Sequence, residues 1–253
     1  MSRENQLTAE ENDTSKQHSL SVIVPALNEA GNITHTIDTI KRAAQGNLSQ
    51  YEIIIVNDGS TDATKEICEE LVSHSNNIHL INNPINKGIG FSFNTGCLTA
   101  RYENIVMIPG DNEIEYTSIQ LLFKKINTTD VLLLYTQNTQ VRSLKRRIIS
   151  LLFIKTLNLC FNLNVKYYNG PCVIKTHLLR QVPLKRKSFA YMAAIVVRLL
   201  KSGATYLEIG MSIQPRQYGG SKALSLKNLL TVFYDIFLLW VEIYIQKKRY
   251  ITK

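Results

Sequence analysis

The sequence predicts an α/β protein, with a mostly parallel sheet flanked by helices. Three observations predict it. As far as Tyr135, short β-branched runs alternate with segments whose apolar residues recur every three or four positions. The fourth run, Ile105 to Ile108, is apolar throughout, as strands covered on both faces are. Several of them end in turns rich in Gly, Asn and Asp. The 253 residues, 45% of them hydrophobic, suffice for one large α/β domain or two small ones.

The elements follow in order. Leu20 to Pro25 is the first strand, with a turn at Asn28 to Asn32 and a helix whose core face carries Ile33, Ile37 and Ile40. Glu52 to Val56 is the second strand and runs into Asn57-Asp58-Gly59-Ser60-Thr61-Asp62. There Ser60 or Thr61 is expected to cap a helix from Ala63 to Ser73 that turns Ile67 and Leu71 inward. Ile78 to Ile81 is a third, short strand, and Asn86-Lys87-Gly88-Ile89-Gly90 opens a helix reaching Ala100. Ile105 to Ile108 is the fourth strand, Ile119 to Ile126 is helical, and Asp130 to Tyr135 is another strand.

Residues 1–18 are polar and contain no signal-peptide h-region, so a disordered tail is expected ahead of a domain over 19–223. The four cysteines, Cys68, Cys97, Cys160 and Cys172, show no Cys-x-x-Cys spacing. They suggest neither a zinc site nor a disulfide framework, and a reducing compartment is the default. The net charge is +9, but no nucleic-acid partner is expected.

The chemistry is concentrated where strands end. Ile105-Val106-Met107-Ile108 runs into Pro109-Gly110-Asp111-Asn112-Glu113-Ile114-Glu115. Ligands of open α/β sheets sit just past the carboxyl ends of strands. Carboxylates spaced Asp-x-Glu there can grip a hard divalent cation, which can grip a diphosphate. The same turn also reads as a polar loop solvating a strand end. Two further strand ends carry acids: Glu29 after the first, Asp58 and Asp62 after the second. Acids gathered on one rim are costly unless a cation or ligand balances them. Each could instead cap a helix, Asp62 above all.

Pro25-Ala26-Leu27-Asn28-Glu29, Val56-Asn57-Asp58-Gly59-Ser60-Thr61-Asp62 and Asp111-Asn112-Glu113 resemble, in order and spacing, the signature segments of family 2 glycosyltransferases with the GT-A fold. In that family the first strand ends in Pro-x-x-Asn-Glu, the second in an Asp-x-Ser-x-Asp turn and the fourth in an Asp-x-Asp metal motif. The stretch Glu208 to Lys222, containing Arg216-Gln217-Tyr218-Gly219-Gly220-Ser221-Lys222, is similar to the dolichol-phosphate-mannose synthase-like, polyprenyl-phosphate branch. Arg216 offers a planar donor fork to phosphate oxygens, and Lys222 a second positive charge. An ordinary basic surface loop is the other reading of this stretch.

The resemblance implies inverting transfer of a sugar from a UDP- or GDP-sugar to a polyprenyl phosphate. Pro25, Leu27, Asn28, Glu29, Asp58, Ser60 and Lys87 would bind the nucleotide. Asp111, Glu113 and Glu115 would hold Mg²⁺ or Mn²⁺ on the diphosphate. Asp111, Arg216 and Lys222 would be catalytic, the two cations stabilising charge on the leaving nucleoside diphosphate. A phosphate monoester has a second pKa of about 6 and needs no general base. None of the five histidines (His18, His35, His74, His79, His177) falls at a predicted strand end. The alternatives are a glycosyltransferase with a soluble or glycan acceptor, or a non-catalytic relative that keeps the fold. The chain departs from the family pattern at five places. Glu113 stands for Asp, Glu115 for Gln, Leu27 for Tyr and Ala194 for an acid, and Tyr167-Tyr168-Asn169-Gly170-Pro171-Cys172 replaces an Asp-x-x-Gly-Phe-Arg-like segment. These departures leave the donor sugar and base open.

Two segments bear on membranes. Arg142, Lys145, Arg146 and Arg147 lead into the apolar run Ile148 to Ile154, which suits an interfacial helix near anionic lipid or a helix packed on the sheet. The stretch Leu224 to Ile245, followed by Lys247-Lys248-Arg249, approaches membrane-span length but is interrupted by Lys227, Asp235 and Glu242. Asp235 and Glu242 share a helical face, so an apolar, amphipathic helix lying on the cytoplasmic membrane surface is expected over 224–253. Packing against another protomer, as in a homo-oligomer, is the alternative.

Overall fold

The computed structural model describes residues 18–184, 190–215 and 226–251, with only the backbone described for 226–230. The predicted alternation is borne out: β1 (Ser19–Ala26), α1 (Ile33–Ala44), β2 (Gln50–Asp58), α2 (Thr64–Ser73), β3 (Ile78–Asn83), α3 (Ile89–Thr99), β4 (Asn104–Met107), α4 (Tyr116–Lys124) and β5 (Val131–Thr136). A long helix α5 (Leu144–Phe161) follows, then β6 (Cys172–Lys175), the short α6 (Thr176–Leu179), α7 (Tyr191–Lys201), β7 (Tyr206–Met211) and α8 (Leu226–Trp240). The last helix passes into a π-helical turn, Val241–Ile245.

The seven strands form one sheet in the order β3-β2-β1-β4-β6-β5-β7. β1 pairs in parallel with β2 and β4, β2 with β3, and β5 with β7. Only β6 runs antiparallel, between β4 and β5. Successive residues of β1 serve opposite faces, as strand geometry requires. Val22 and Val24 pack with Ile33, Ile37 and Ile40 of α1 and Leu122 and Phe123 of α4. Ile23 packs with Phe93 of α3, Leu157 of α5 and Val196 of α7. Covering both faces is why these strands read as unbroken apolar runs.

Two helix details differ from the sequence reading. Ser60 and Thr61 do not cap α2. Its N-cap is Ala63, and the Thr64 N–H is accepted by Asp62 Oδ1 at 3.1 Å. The C-terminal helix also turns one of its two acids inward. Ile236, Leu239 and Ile243 are buried in the core shared with α5 and α7, each such burial being worth about 1.5–3 kcal/mol. Glu242 points inward with them, onto Arg198 of α7, while Phe233, Tyr234, Phe237, Leu238 and Trp240 are exposed. Of the two acids on the shared face, Asp235 is half-buried and Glu242 is paired, and the helix keeps an exposed apolar side. Among the described residues no helix is long and apolar enough to cross a membrane.

Candidate active site

The winding of the sheet reverses between β1 and β4, since β2 and β3 lie on one side of β1 and the later strands on the other. Open α/β sheets bind ligands beyond the carboxyl ends of the strands at such a point. The turns after β1, β2 and β4 meet here and line a cavity of about 940 Å³. Its polar end contains Pro25, Leu27, Asn28, Glu29, Asp58, Asp111 and Glu113, seven of the residues singled out in the sequence.

Each turn is built by its own polar side chains. Asn28 adopts a left-handed conformation (φ 57°), which Asn tolerates better than most residues, and its Oδ1 accepts the Thr61 N–H at 2.8 Å. Ser60 Oγ accepts the Asn28 N–H at 3.0 Å, so Asn28 and Ser60 clasp the first two turns together. Glu29 is buried; its N–H is donated to Thr64 Oγ1 at 2.8 Å, and its carboxylate accepts from the Asn32 amide at 2.7 Å. Burial alone would raise the Asp62 pKa. Hydrogen bonds from the Thr64 hydroxyl and N–H and from the Ala30 N–H outweigh it, and the carboxyl lies below its ordinary value.

Asp58, only 3% exposed, accepts three hydrogen bonds. Its Oδ1 accepts from Asn83 Nδ2 at 2.8 Å and the Lys87 N–H at 3.0 Å, and its Oδ2 accepts from the Gly88 N–H at 2.7 Å. The carboxylate thereby shapes the loop that enters α3. Gly59 must be glycine here: its φ is +72°, and a Cβ would stand 2.5 Å from the Ile85 carbonyl carbon. The Lys87 side chain lies over the Phe91 ring at 4.5 Å. Neither Lys87 nor Ser60 is among the residues lining the cavity, and the bonds seen for them, Lys87 N–H to Asp58 and Asn28 N–H to Ser60, lie within the loops.

The acidic turn is tied at both ends. The Gly110 N–H is donated to the Pro25 carbonyl at 3.0 Å, joining this turn to the first one. Asn112 sits in the left-handed region (φ 52°), and the Glu113 N–H is donated to Asp111 Oδ1 at 3.3 Å. Beyond them the turn pairs with the segment after β7. Ile114 bridges Ile213, the Gln214 N–H is donated to the Glu113 carbonyl at 2.8 Å, and Gln214 Nε2 to the Asn112 carbonyl at 2.7 Å. Asp111 and Glu113 face the cavity; Glu115 does not line it, because it is the N-cap residue of α4, with its N–H donated to the Ser212 carbonyl. Among the described residues no group of three or more His, Cys, Asp or Glu side chains converges on one point. Arg216 and Lys222 lie outside the described residues; Gln214, two positions before Arg216, is hydrogen-bonded to the acidic turn.

Much of the cavity's lining is apolar, and most of that part escaped the sequence reading. Ile149, Leu152 and Phe153 of α5 face Val232, Phe233 and Ile236 of α8, with Tyr191 and Met192 of α7 nearby. Arg142 and Arg146 line the same cavity. Arg142 Nη1 donates to the Tyr167 hydroxyl at 3.1 Å, and its Nε is buried with no hydrogen-bond partner among the described residues. The basic cluster was visible in the sequence, but nothing local showed that these two arginines turn into a cleft. Tyr167, Asn169 and Gly170, where the departing segment lies, also line it.

A doubly wound sheet with an acidic turn at its reversal point is the architecture of GT-A glycosyltransferases. The profile of glycosyl transferase family 2 matches residues 21–180, and the chain belongs to that family. Among characterised proteins it is similar to a dolichyl-phosphate beta-glucosyltransferase of Trichomonas vaginalis, 34% identical over 114 residues (43% of this chain, 35% of the relative). It is also similar to the dolichyl-phosphate beta-glucosyltransferase of Homo sapiens, 29% identical over 115 residues (43% and 36%). The match thus spans about a third of the length of these relatives. Glucosyl-3-phosphoglycerate synthase from Mycobacterium tuberculosis, solved with Mn²⁺, UDP-glucose and phosphoglyceric acid, shares the fold with a TM-score of 0.65 at 14% identity (89% of this chain, 79% of that one). Staphylococcus aureus TarS does so with a TM-score of 0.58 at 20% identity (88% and 65%).

Proposed function

We propose that this glycosyltransferase moves a sugar from a nucleoside-diphosphate sugar to a polyprenyl phosphate at a membrane surface. One observation carries the reading: a single cavity is lined by an acidic turn, by apolar side chains of α5 and α8, and by two arginines. The nucleotide lies against Pro25, Leu27 and the Asn28–Asp58 side, and the diphosphate faces Asp111 and Glu113. Two carboxylates on one turn suit Mg²⁺ or Mn²⁺, since such ions are held by one or two carboxylates together with substrate phosphates. Bound there, the ion supplies Lewis-acid neutralisation of the diphosphate. Arg216 and Lys222 would add positive charge near the same group, an assignment supported by the tie between Gln214 and Glu113.

Arg142 and Arg146 hold the acceptor phosphate, and the isoprenoid lies between α5 and α8. An acceptor phosphate oxygen attacks the anomeric carbon, the bond from that carbon to the diphosphate oxygen breaks, and the nucleoside diphosphate leaves with the bonding pair. No proton needs to be removed from a dianionic phosphate. None of the histidines lines the cavity, which is consistent with an acceptor that requires no such base.

The membrane-facing surface is the exposed apolar side of α5 and α8, with Leu144, Ile148, Leu151 and Leu152 on one and Phe233, Phe237 and Trp240 on the other. An apolar surface beside a basic helix start suits peripheral binding to anionic lipid on the cytoplasmic side. The deciding experiment is a thermal-shift screen of UDP-, GDP- and dTDP-sugars with and without Mn²⁺, followed by transfer to a polyprenyl phosphate in detergent. Stabilisation by one nucleotide class only with metal, together with transfer, is expected. Binding without transfer to any polyprenyl phosphate, but with transfer to a glycan or a soluble acceptor, would overturn the acceptor assignment.

A further inference from the structure

An interfacial helix normally shows its charges to water, yet α8 and its π-turn hide their best-placed acid. Glu242 meets Arg198 in a bidentate pair, Oε1 to Nε at 2.6 Å and Oε2 to Nη2 at 2.8 Å. The Arg198 side chain is 3% exposed and that of Glu242 12%. Arg198 Nη1 also reaches the Pro183 carbonyl at 3.3 Å, and the Tyr250 hydroxyl donates to Glu242 Oε1. The Tyr250 N–H is donated to Ser202 Oγ at 2.9 Å, so the chain after the π-turn folds back onto the end of α7.

The two helices joined by this pair are two walls of the cavity. Tyr191 and Met192 of α7 and Val232, Phe233 and Ile236 of α8 line it. Met192 precedes Arg198, and Ile236 precedes Glu242, by six residues, or roughly 9 Å of helix. A buried ion pair adds little net stability compared with an apolar pair of the same volume, but its two parallel bonds admit one orientation. Ile236, Leu239 and Ile243 already supply apolar adhesion, and adhesion alone would let α8 slide or rotate.

We infer that Arg198 and Glu242 are positioning residues: their pair sets α8 against α7 so that the apolar wall is in place for the acceptor chain. The inference rests on the acceptor reading above and adds to it the device that holds the wall. It predicts that loosening the pair impairs acceptor binding and spares the nucleotide end, which is built from other elements.

The test uses the full chain with Glu242→Gln and with the reversed pair Arg198→Glu/Glu242→Arg. Three quantities are read: amide hydrogen exchange over residues 231–245, affinity for UDP and GDP with Mn²⁺, and KM and kcat for a polyprenyl phosphate in micelles. In Glu242→Gln, exchange over 231–245 is expected to rise about tenfold and acceptor KM about fivefold or more, with kcat and nucleotide affinity within about twofold. The reversed pair should recover part of both losses. Faster exchange with unchanged acceptor KM would overturn the inference, as would unchanged exchange. A uniform loss of nucleotide and acceptor binding would reduce the pair to a structural one. Should Glu242→Gln fail to fold, Tyr250→Phe removes a single bond to Glu242 and must shift exchange and KM in the same direction. Should the wild type use no polyprenyl phosphate, the acceptor reading fails by itself. The pair is then judged by exchange and by protection of 231–245 on adding a polyprenyl phosphate in micelles, whose absence would overturn it.

Discussion

Replacing Asp58 by Asn takes one oxygen from a buried carboxylate that collects three N–H donors. The Asn83 amide and the Lys87 N–H can still reach the remaining oxygen, but they lose the assistance of its charge. The Gly88 N–H, 2.7 Å from Oδ2, would face an NH₂ group, donor against donor. A hydrogen bond to a charged group contributes about 1.5–3 kcal/mol and a neutral one about 1 kcal/mol. Losing one outright and weakening two gives a destabilisation of about 3 kcal/mol. In a chain of this size each kcal/mol corresponds to roughly 2–4 °C, so Tm should fall by roughly 6–12 °C. Urea denaturation followed by circular dichroism checks the free energy, and the m-value should not change. Nucleotide affinity should drop as well, because Asn86 and Gly88 line the cavity and lose their support. A stability change under about 0.5 kcal/mol would refute the reasoning, since that is the range of an ordinary surface substitution.

Three further outcomes are expected. Gly170→Ala places a Cβ 2.0 Å from the Leu134 carbonyl oxygen, a backbone atom that cannot swing away; a loss of about 1–3 kcal/mol should appear in the same denaturation assay, accompanied by weaker substrate binding. The carboxyls of Asp62 and Asp130 lie below their ordinary values: burial raises both, but hydrogen bonds from Thr64 and Ala30, and from Thr205 and Lys175, outweigh it. The stability they lend is therefore present above the unfolded carboxyl pKa of about 3.9 and is lost as pH falls through their lower folded values, which Tm measured between pH 6 and pH 2 should show, more weakly in Asp130→Asn. Leu151→Asp with Phe237→Asp alters exposed positions on α5 and α8 outside the cavity lining and should reduce co-sedimentation with anionic vesicles while leaving nucleotide binding intact; unaltered sedimentation would remove the membrane assignment from this face.

Strand β7, Tyr206–Met211, was not read because it is partly polar and partly exposed, whereas β1 to β5 were legible, most plainly β1, β2, β4 and β5, whose residues are nearly all buried between the helix layers. β6 was not, since Cys172–Lys175 has four residues and its antiparallel place between β4 and β5 is decided by long-range pairing. The acids of the rim were legible as residue types at strand ends, but what each one does there was not. Asp58 depends on Asn83 and Gly88, 25 and 30 residues away in the chain, and no local pattern encodes that cradle. The inward turn of Glu242 was not legible for a related reason. Periodicity puts Asp235 and Glu242 on one side but does not say that a buried Arg198 awaits one of them. Helical spacing gives the stripe, and only the partner tells which stripe is inside.

The acids at this rim divide by depth, and the division follows from what each must touch. Asp58 and Glu29 are buried, and the bonds they accept from Gly88, Lys87, Asn83 and Asn32 shape the loops around them. Asp111 and Glu113 are half-exposed on a turn whose backbone is tied to Pro25 on one side and Gln214 on the other. A carboxylate that shapes a loop makes its strongest bonds, and fixes the loop most firmly, when it is dry. A carboxylate that receives a hydrated cation must keep access to water and sit on a frame that does not move when the ion arrives. The two buried acids thus make the floor rigid, and the backbone ties hold the two wet ones above it. That is the arrangement a charged, exchangeable ligand requires, and it would be a needless cost in loops that merely cover strand ends.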